Sequence, residues 1–209
     1  TGSGGEVPMV FRDNDHILFS ASVMPSAESI IFAGSFLQVY ETDTNGSRPK
    51  LYSTLPMENI SFNANGDVLY HDNKGYEDSW RKHHTSPIAR DIWMKQGDNY
   101  KKITDFAGED RNPVWAADGK SFYYLSEMDG TFNVYRANAD GTQKQQCTHF
   151  KGNPVRFLSS AANETLCFGY DGEIYTLAQG QKEPRKVNIS ITADRTDRDL
   201  VRQINGNEA

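Results

Sequence analysis

No stretch of the 209 residues approaches the roughly 20 consecutive apolar residues that cross a bilayer, and nothing at the amino end reads as a secretory signal. Lys and Arg are in the minority, 22 against 28 Asp and Glu, and no basic stripe is set among stacking aromatics, so nucleic acid is an unsuitable partner. Beyond the opening Thr1-Gly2-Ser3-Gly4-Gly5, glycines are singletons at turns, and none forms a G-x-G-x-x-G leading into a helix, which leaves phosphate and cofactor binding without support. No serine lies in Gly-x-Ser-x-Gly and no activating His and acid accompany one, so no catalytic residue is assigned. Cysteine is nearly absent. Cys147 and Cys167 match no metal or redox spacing and read as buried free thiols in different strands, leaving the redox compartment open. Helical periodicity is not sustained anywhere except briefly near Asp197–Ile204.

What is present is a phrase repeated four times: a polar start, a short apolar strand, an Asn/Asp/Gly turn, and a strand carrying an aromatic dipeptide. The dipeptides are Val39-Tyr40, Ile92-Trp93, Val134-Tyr135 and Ile174-Tyr175. Their spacing is close to the roughly 40–50 residue period of propeller blades. The third repeat is the clearest: Val114–Ala116, the Asp118-Gly119 turn, Phe122–Ser126, Asn133–Ala137, and an edge strand Gln145–His149. The fourth follows with Val155–Ser159, Thr165–Tyr170, Glu173–Leu177 and Arg185–Ile189. The second uses Ile60–Asn63, Val68–His71, Asp91–Lys95 and Lys101–Asp105, and the first Met9–Arg12, Ile17–Ala21, Leu37–Thr42 and Lys50–Thr54. Polar residues such as Lys101, Lys102 and Gln145 suit an outer edge strand, and the dipeptides suit packing between adjacent sheets. The expected fold is therefore all-β: a β-propeller of four-stranded antiparallel blades with about four blades present.

The expected organisation is a tag-like scar at 1–6, a propeller segment at 7–191 with blades near 7–54, 55–105, 106–150 and 151–191, and a polar linker at 192–209 toward a missing domain. Four repeats suit either a closed four-bladed ring or a segment of a larger one. Two insertions, Ser22–Phe36 and Asn73–Ala89, fall between second and third strands and crowd one rim.

Three groups of residues are candidates for function. Glu109, Asp110 and Arg111 either present a carboxylate and a guanidinium at the channel mouth, able to hold a peptide terminus or charged side chain, or form an ion pair between blades. Tyr76 and Trp80 can dock the second insertion on the rim. Arg81, His83 and His84 form, with Lys82, the one dense basic run. His71-Asp72 with His83-His84 is the nearest approach to a metal cluster, but adjacent histidines point apart, and no metal site is assigned.

Glu109-Asp-Arg-Asn-Pro-Val-Trp-Ala-Ala-Asp-Gly-Lys120, Tyr124-Leu-Ser126, Asn153-Pro-Val-Arg-Phe-Leu158 and Phe168-Gly-Tyr-Asp-Gly-Glu-Ile-Tyr175 resemble the amino-terminal propeller of tricorn-type proteases, especially bacterial homologues. Trp80-Arg-Lys-His-His84 and Arg90-Asp-Ile-Trp93 bring the match closer, and it runs from about Val7 to the tail. The resemblance implies a serine peptidase parent with a six-bladed first propeller that filters or passes peptides, a second propeller, a PDZ-like module and a carboxy-terminal catalytic core. This chain would be most of the first propeller, with no catalytic position. Its partners would be peptides or other domains of the parent, with self-association through the ends of a truncated ring. The compartment implied is periplasmic or exported. The competing expectations are a stand-alone TolB-type propeller binding protein partners and the propeller cap of a prolyl-oligopeptidase-like enzyme.

Overall fold

The structure, a computed structural model, describes residues 6–22, 37–75, 81–83 and 85–192. All of its regular elements there are β-strands, sorted into four antiparallel sheets of four consecutive strands. The first holds β1 (Glu6–Phe11), β2 (His16–Ser22), β3 (Leu37–Asp43) and β4 (Lys50–Ser53). The second holds β5 (Met57–Phe62), β6 (Val68–Asp72), β7 (Ile92–Gln96) and β8 (Asn99–Lys102). The third holds β9 (Asp110–Trp115), β10 (Ser121–Ser126), β11 (Asn133–Asn138) and β12 (Gln145–Gln146), and the fourth β13 (Arg156–Ser160), β14 (Leu166–Tyr170), β15 (Glu173–Leu177) and β16 (Arg185–Lys186). The four-bladed, all-β expectation holds. The outermost strands β12 and β16 are shorter than the sequence suggested, because only two residues of each pair with the neighbouring strand.

Turn chemistry explains why each blade folds locally. In the hairpin between first and second strands, one side chain accepts from the backbone ahead of it: Asp13 from Asp15 and His16, Asn63 from Asn65 and Asp67, Asp118 from Lys120 and Ser121, and Asn163 from Thr165. These Asx interactions mimic a backbone turn and fix where the second strand begins. Gly141, in the outer turn of the third blade, has a positive φ and lies against the second blade so closely that a Cβ would meet the Ile103 carbonyl oxygen at 2.4 Å. Glycine alone fits there.

Each innermost strand carries a β-bulge at the same place. On β1, β5, β9 and β13 two residues oppose a single aromatic of the second strand, namely Phe19, Tyr70, Tyr124 and Phe168. Three bulges contain a residue in the left-handed region: Asn59 at φ 50°, Asn112 at 51° and Phe157 at 59°. Asn tolerates that region, whereas for Phe it is an outlier. The bulge also breaks the period-2 pattern, which is why β5 and β9 start earlier than the alternation indicates.

Three apolar seams join the blades in series. Leu18 and Val39 of the first blade meet Met57, Ile60, Val68 and Tyr70 of the second. Leu69, Ile92 and Met94 of the second meet Trp115, Phe122, Tyr124 and Tyr135 of the third. Tyr123, Leu125 and Val134 of the third meet Val155, Leu158, Leu166 and Phe168 of the fourth. Within a strand, alternate residues therefore serve the preceding and the following seam, as period-2 geometry requires. No comparable seam joins the fourth blade to the first among the described residues.

Polar bridges reinforce the seams. The Tyr123 hydroxyl donates to Glu164 Oε1 at 2.7 Å, and Glu164 also accepts from the Ala117 backbone and from Gln179. Tyr123→Phe should lower stability by about 1–3 kcal/mol, because it leaves a buried carboxylate oxygen short of a donor. Urea denaturation of the two proteins measures this, and equal midpoints would show that the bridge carries no stability.

Candidate functional site

A cavity of about 280 Å³ opens between the inner strands of the second, third and fourth blades. Its polar wall is Glu58, Asn59 and His71 of the second blade with Arg90, Arg111 and Asn112, and its apolar wall includes Phe132, Val155 and Phe157. The bulges bring these groups together: each turns one inner-strand residue out of alternation, and Asn59, Asn112 and Phe157 all line the space.

His71 organises the second-to-third blade side. Its Nδ1 lies 3.0 Å from the Asn112 backbone N–H, which can only donate, so Nδ1 is the acceptor. The proton therefore sits on Nε2, which donates to Glu58 Oε2 at 3.0 Å. Burial holds the ring below its ordinary imidazole value, opposed by Glu58 and aided by the charges of Arg90 and Arg111. It is neutral. Asn112 Nδ2 donates to Asn59 Oδ1 at 3.0 Å, tying two bulges across the seam.

Two carboxylates anchor the arginines. Arg90 Nη1 donates to Glu109 Oε1 at 2.9 Å, and Arg111 Nη2 donates to Glu109 Oε2. Burial raises the Glu109 carboxyl, but the hydrogen bonds and charges of Arg111 and Arg90 outweigh it and hold the group below its usual range. Glu58 also accepts from Arg90 Nε at 3.4 Å and from Asn73 at 2.8 Å. Burial raises it too, yet the His71 hydrogen bond and the Arg90 charge bring it down to about 2. Arg111 further lies over the Phe132 ring, 5.2 Å from its centroid, so its guanidinium plane is fixed as well as its charge.

Glu58 has a folded value below its unfolded one, so its stabilisation is present above about 4.5 and is lost as pH falls toward about 2. His71, also depressed, adds loss as pH falls below its ordinary 6.5. Glu58→Gln should therefore flatten the fall in thermal midpoint between pH 4.5 and 3, compared with the parent chain. An unaltered slope would show that the carboxylate makes no net contribution.

The sequence-based candidates are distributed as follows. Glu109 is 0% exposed and Asp110 1%, so within that triad Arg111 alone lines the cavity while Glu109 orients it from behind. Arg81 and His83 are exposed on the second insertion, outside the cavity. The His83 backbone donates to Glu127 Oε2 at 2.7 Å and Lys82 donates to the Gly152 carbonyl, so this loop crosses the third blade toward the fourth on the rim. Tyr76, Trp80 and His84 lie outside the described residues, as do most of the first insertion and the short helical pattern near Asp197–Ile204. His71 is committed to Asn112 and Glu58, and no group of three or more metal-ligating side chains occurs among the described residues. Both cysteines are free, and burial pushes the Cys147 thiol up to about 11. Glu58, Asn59, Arg90, Asn112 and Arg156 are cavity residues that were not among the candidates, and His71, noted only beside His83-His84, belongs here instead. The usable signal was positional: Glu58, Arg111 and Arg156 each precede the bulge of an inner strand.

Four-stranded antiparallel blades, packed face to face with their first strands innermost around a polar channel wall, define a β-propeller. The family model for the tricorn protease N-terminal β-propeller domain matches residues 4–183, and the chain belongs to that family. The tricorn protease of Thermoplasma volcanium is 28% identical over 95 residues, 46% of this chain and 9% of that protein. The crystal structure of the tricorn protease is similar with a TM-score of 0.54 at 15% identity, covering 90% of this chain and 23% of that one. TolB from Acinetobacter baumannii gives 0.61 at 16% identity, covering 88% of this chain and 43% of TolB. The chain thus spans a small part of the tricorn proteases it matches.

Proposed function

We propose that this chain is a noncatalytic propeller module of a tricorn-like serine peptidase. It acts as a scaffold and as a docking or filtering surface for peptides, and its four blades form a segment of a larger ring. The observation that carries the reading is the channel-side cavity, where Arg90 and Arg111 are held by buried Glu109 and flanked by the apolar surface of Phe157. Fixed guanidiniums beside an exposed aromatic suit a peptide, which offers both carboxylates and apolar side chains.

The test uses the purified 209-residue chain with fluorescently labelled peptides and anisotropy as readout. Binding is expected, weakened at least threefold by Phe157→Ala, a change on a side chain 69% exposed whose loss leaves the seams intact. No binding by folded protein at millimolar peptide would end the docking role. Hydrolysis of an unstructured peptide is expected to be absent, and turnover abolished by one internal serine substitution would overturn the noncatalytic assignment. The second reading is a stand-alone TolB-type propeller that binds protein partners, with which the shared propeller fold is compatible.

A further inference from the structure

The contact between His71 and Asn112 is a hydrogen bond that a single proton destroys. His71 stands on β6 and Asn112 at the bulge of β9, so the bond, 3.0 Å long, joins the second blade to the third. The Asn112 N–H can only donate, and Nδ1 accepts through its lone pair. An imidazolium carries a proton on both nitrogens, so the same two atoms would then meet donor to donor. Nothing is lost on the other side of the ring. Nε2 already donates to Glu58 Oε2 at 3.0 Å, closer than Asn59 Nδ2 at 3.4 Å, and a positive ring makes that bond charge-assisted. Protonation therefore breaks a contact toward the third blade and strengthens one within the second.

What Asn112 does without His71 is set by its backbone. It holds φ 51°, a left-handed conformation that costs energy even for Asn. Two contacts keep it there: His71 on its N–H, and Asn59 Oδ1 at 3.0 Å from its Nδ2. Asn59 is itself at φ 50° in the facing bulge. All three residues line the cavity, which gives the ring, only 3% exposed, its access to solvent protons and makes any change at the bulge a change in the cavity wall. Farther along, the same seam is tied by contacts with no titratable member. The Trp115 backbone N–H donates to Ser61 Oγ and its Nε1 to the Ser61 carbonyl, with Leu69, Ile92, Phe122 and Tyr124 packed in the same seam.

We propose that His71 is an acid-operated catch at the channel end of the second seam: protonation of its ring releases Asn112, and the cavity wall built by Asn59 and Asn112 rearranges while the rest of the seam stays closed. The charged groups around the ring are Glu58 on β5, Arg90 ahead of β7 and Arg111 on β9, with Glu109 behind both arginines and Arg156 of β13 on the same cavity. Asp72, next along β6, is turned instead to Trp93 and Lys74. Burial opposes the imidazolium, Glu58 supplies its counter-charge, and the two arginines held by Glu109 add to the opposition. The folded ring titrates below its ordinary 6.5, so the catch is closed at neutral pH and opens as pH falls through the lower folded value. The catch is a property of the seam and does not depend on a peptide occupying the cavity.

Heteronuclear NMR on the 209-residue chain tests this. At pH 7.5 the ring is expected as the Nε2–H tautomer, with a scalar coupling across the N–H···N bond from Asn112 to Nδ1. Titration toward pH 4.5 should remove that coupling and lower the hydrogen-exchange protection of the Asn112 amide at least tenfold, in step with protonation of His71, while the Trp115 amide stays protected. In His71→Gln, whose side-chain oxygen can accept the same N–H without titrating, Asn112 should stay protected throughout. Should that variant not fold, the titration of the parent chain alone decides. A ring protonated on Nδ1 at pH 7.5, or a coupling that survives protonation of the ring, overturns the proposal. So does a His71 that stays neutral until the whole chain unfolds, which Asn112 and Trp115 would show by losing protection together.

Discussion

Replacing Asp110 by Asn should raise the stability of this protein at pH 8 by roughly 2–4 kcal/mol and remove most of its loss of stability between pH 4 and 7. Asp110 lies on β9 at the seam between the second and third blades and is 1% exposed. Thr104 and Ser126 supply its hydrogen bonds. Each hydroxyl is already an acceptor, Thr104 from the Ile92 backbone and Ser126 from the Met128 backbone, so each can donate its proton to Asp110. Oδ1 has no hydrogen-bond partner, nor has the buried hydroxyl of Tyr124 on the neighbouring strand. Desolvation dominates and pushes the carboxyl up to about 7, with Ser126, Thr104 and Lys144 pulling against it and Asp91 adding to it. A folded value above the unfolded one gives a contribution that is full below about 3.8 and is lost as pH rises to about 7. The loss is about 1.4 kcal/mol per pH unit over that interval. Asn keeps an acceptor for both hydroxyls and has nothing to ionise. Urea titrations from pH 4 to 8 give the answer, and parallel curves for the two proteins would show that Asp110 ionises without cost. This response runs opposite to that of Glu58 and His71, which weaken the same seam in acid.

Trp115→Ala should destabilise by about 3–5 kcal/mol. The ring belongs to the second seam, among Leu69, Ile92, Met94, Phe122 and Tyr124, and is 8% exposed. Its Nε1 donates to the Ser61 carbonyl at 3.1 Å and its backbone N–H to Ser61 Oγ at 3.1 Å, both across the seam to β5. Truncation therefore opens a cavity between two blades and removes the indole donor to a carbonyl on the facing strand. Trp115→Phe separates the two effects, since it keeps most of the volume and loses the indole donor, at about 1–2 kcal/mol. An alanine variant with an unchanged denaturation midpoint would mean that the ring does not hold the blades together.

Much of the fold was legible because repetition and period-2 alternation act locally. Asp118-Gly119 and its equivalents mark turns through side chains that bond their own backbone, and this requires no distant partner. The ends of the inner strands were less legible. Asn59 and Asn112 adopt left-handed conformations inside strands, and the extra residue hides the alternation on either side. The channel site was harder still. Glu109-Asp110-Arg111 stood out as a charged run, yet strand alternation sends its members different ways: Glu109 behind the arginines, Asp110 into the seam, Arg111 to the cavity. His71 stood out only beside His83-His84 as a weak approach to a metal cluster, and its actual role was hidden because it depends on a backbone N–H 41 residues away.

The sequence by itself determined the blade: strand order, turn positions and the aromatic pair that each sheet presents are set by contacts within some 40 residues. Only the tertiary structure decided what happens between blades. It neutralised His71, lowered Glu58 and raised Asp110. Burial and charge pairing at a seam depend on which side chain arrives from the next repeat, and no local pattern encodes that.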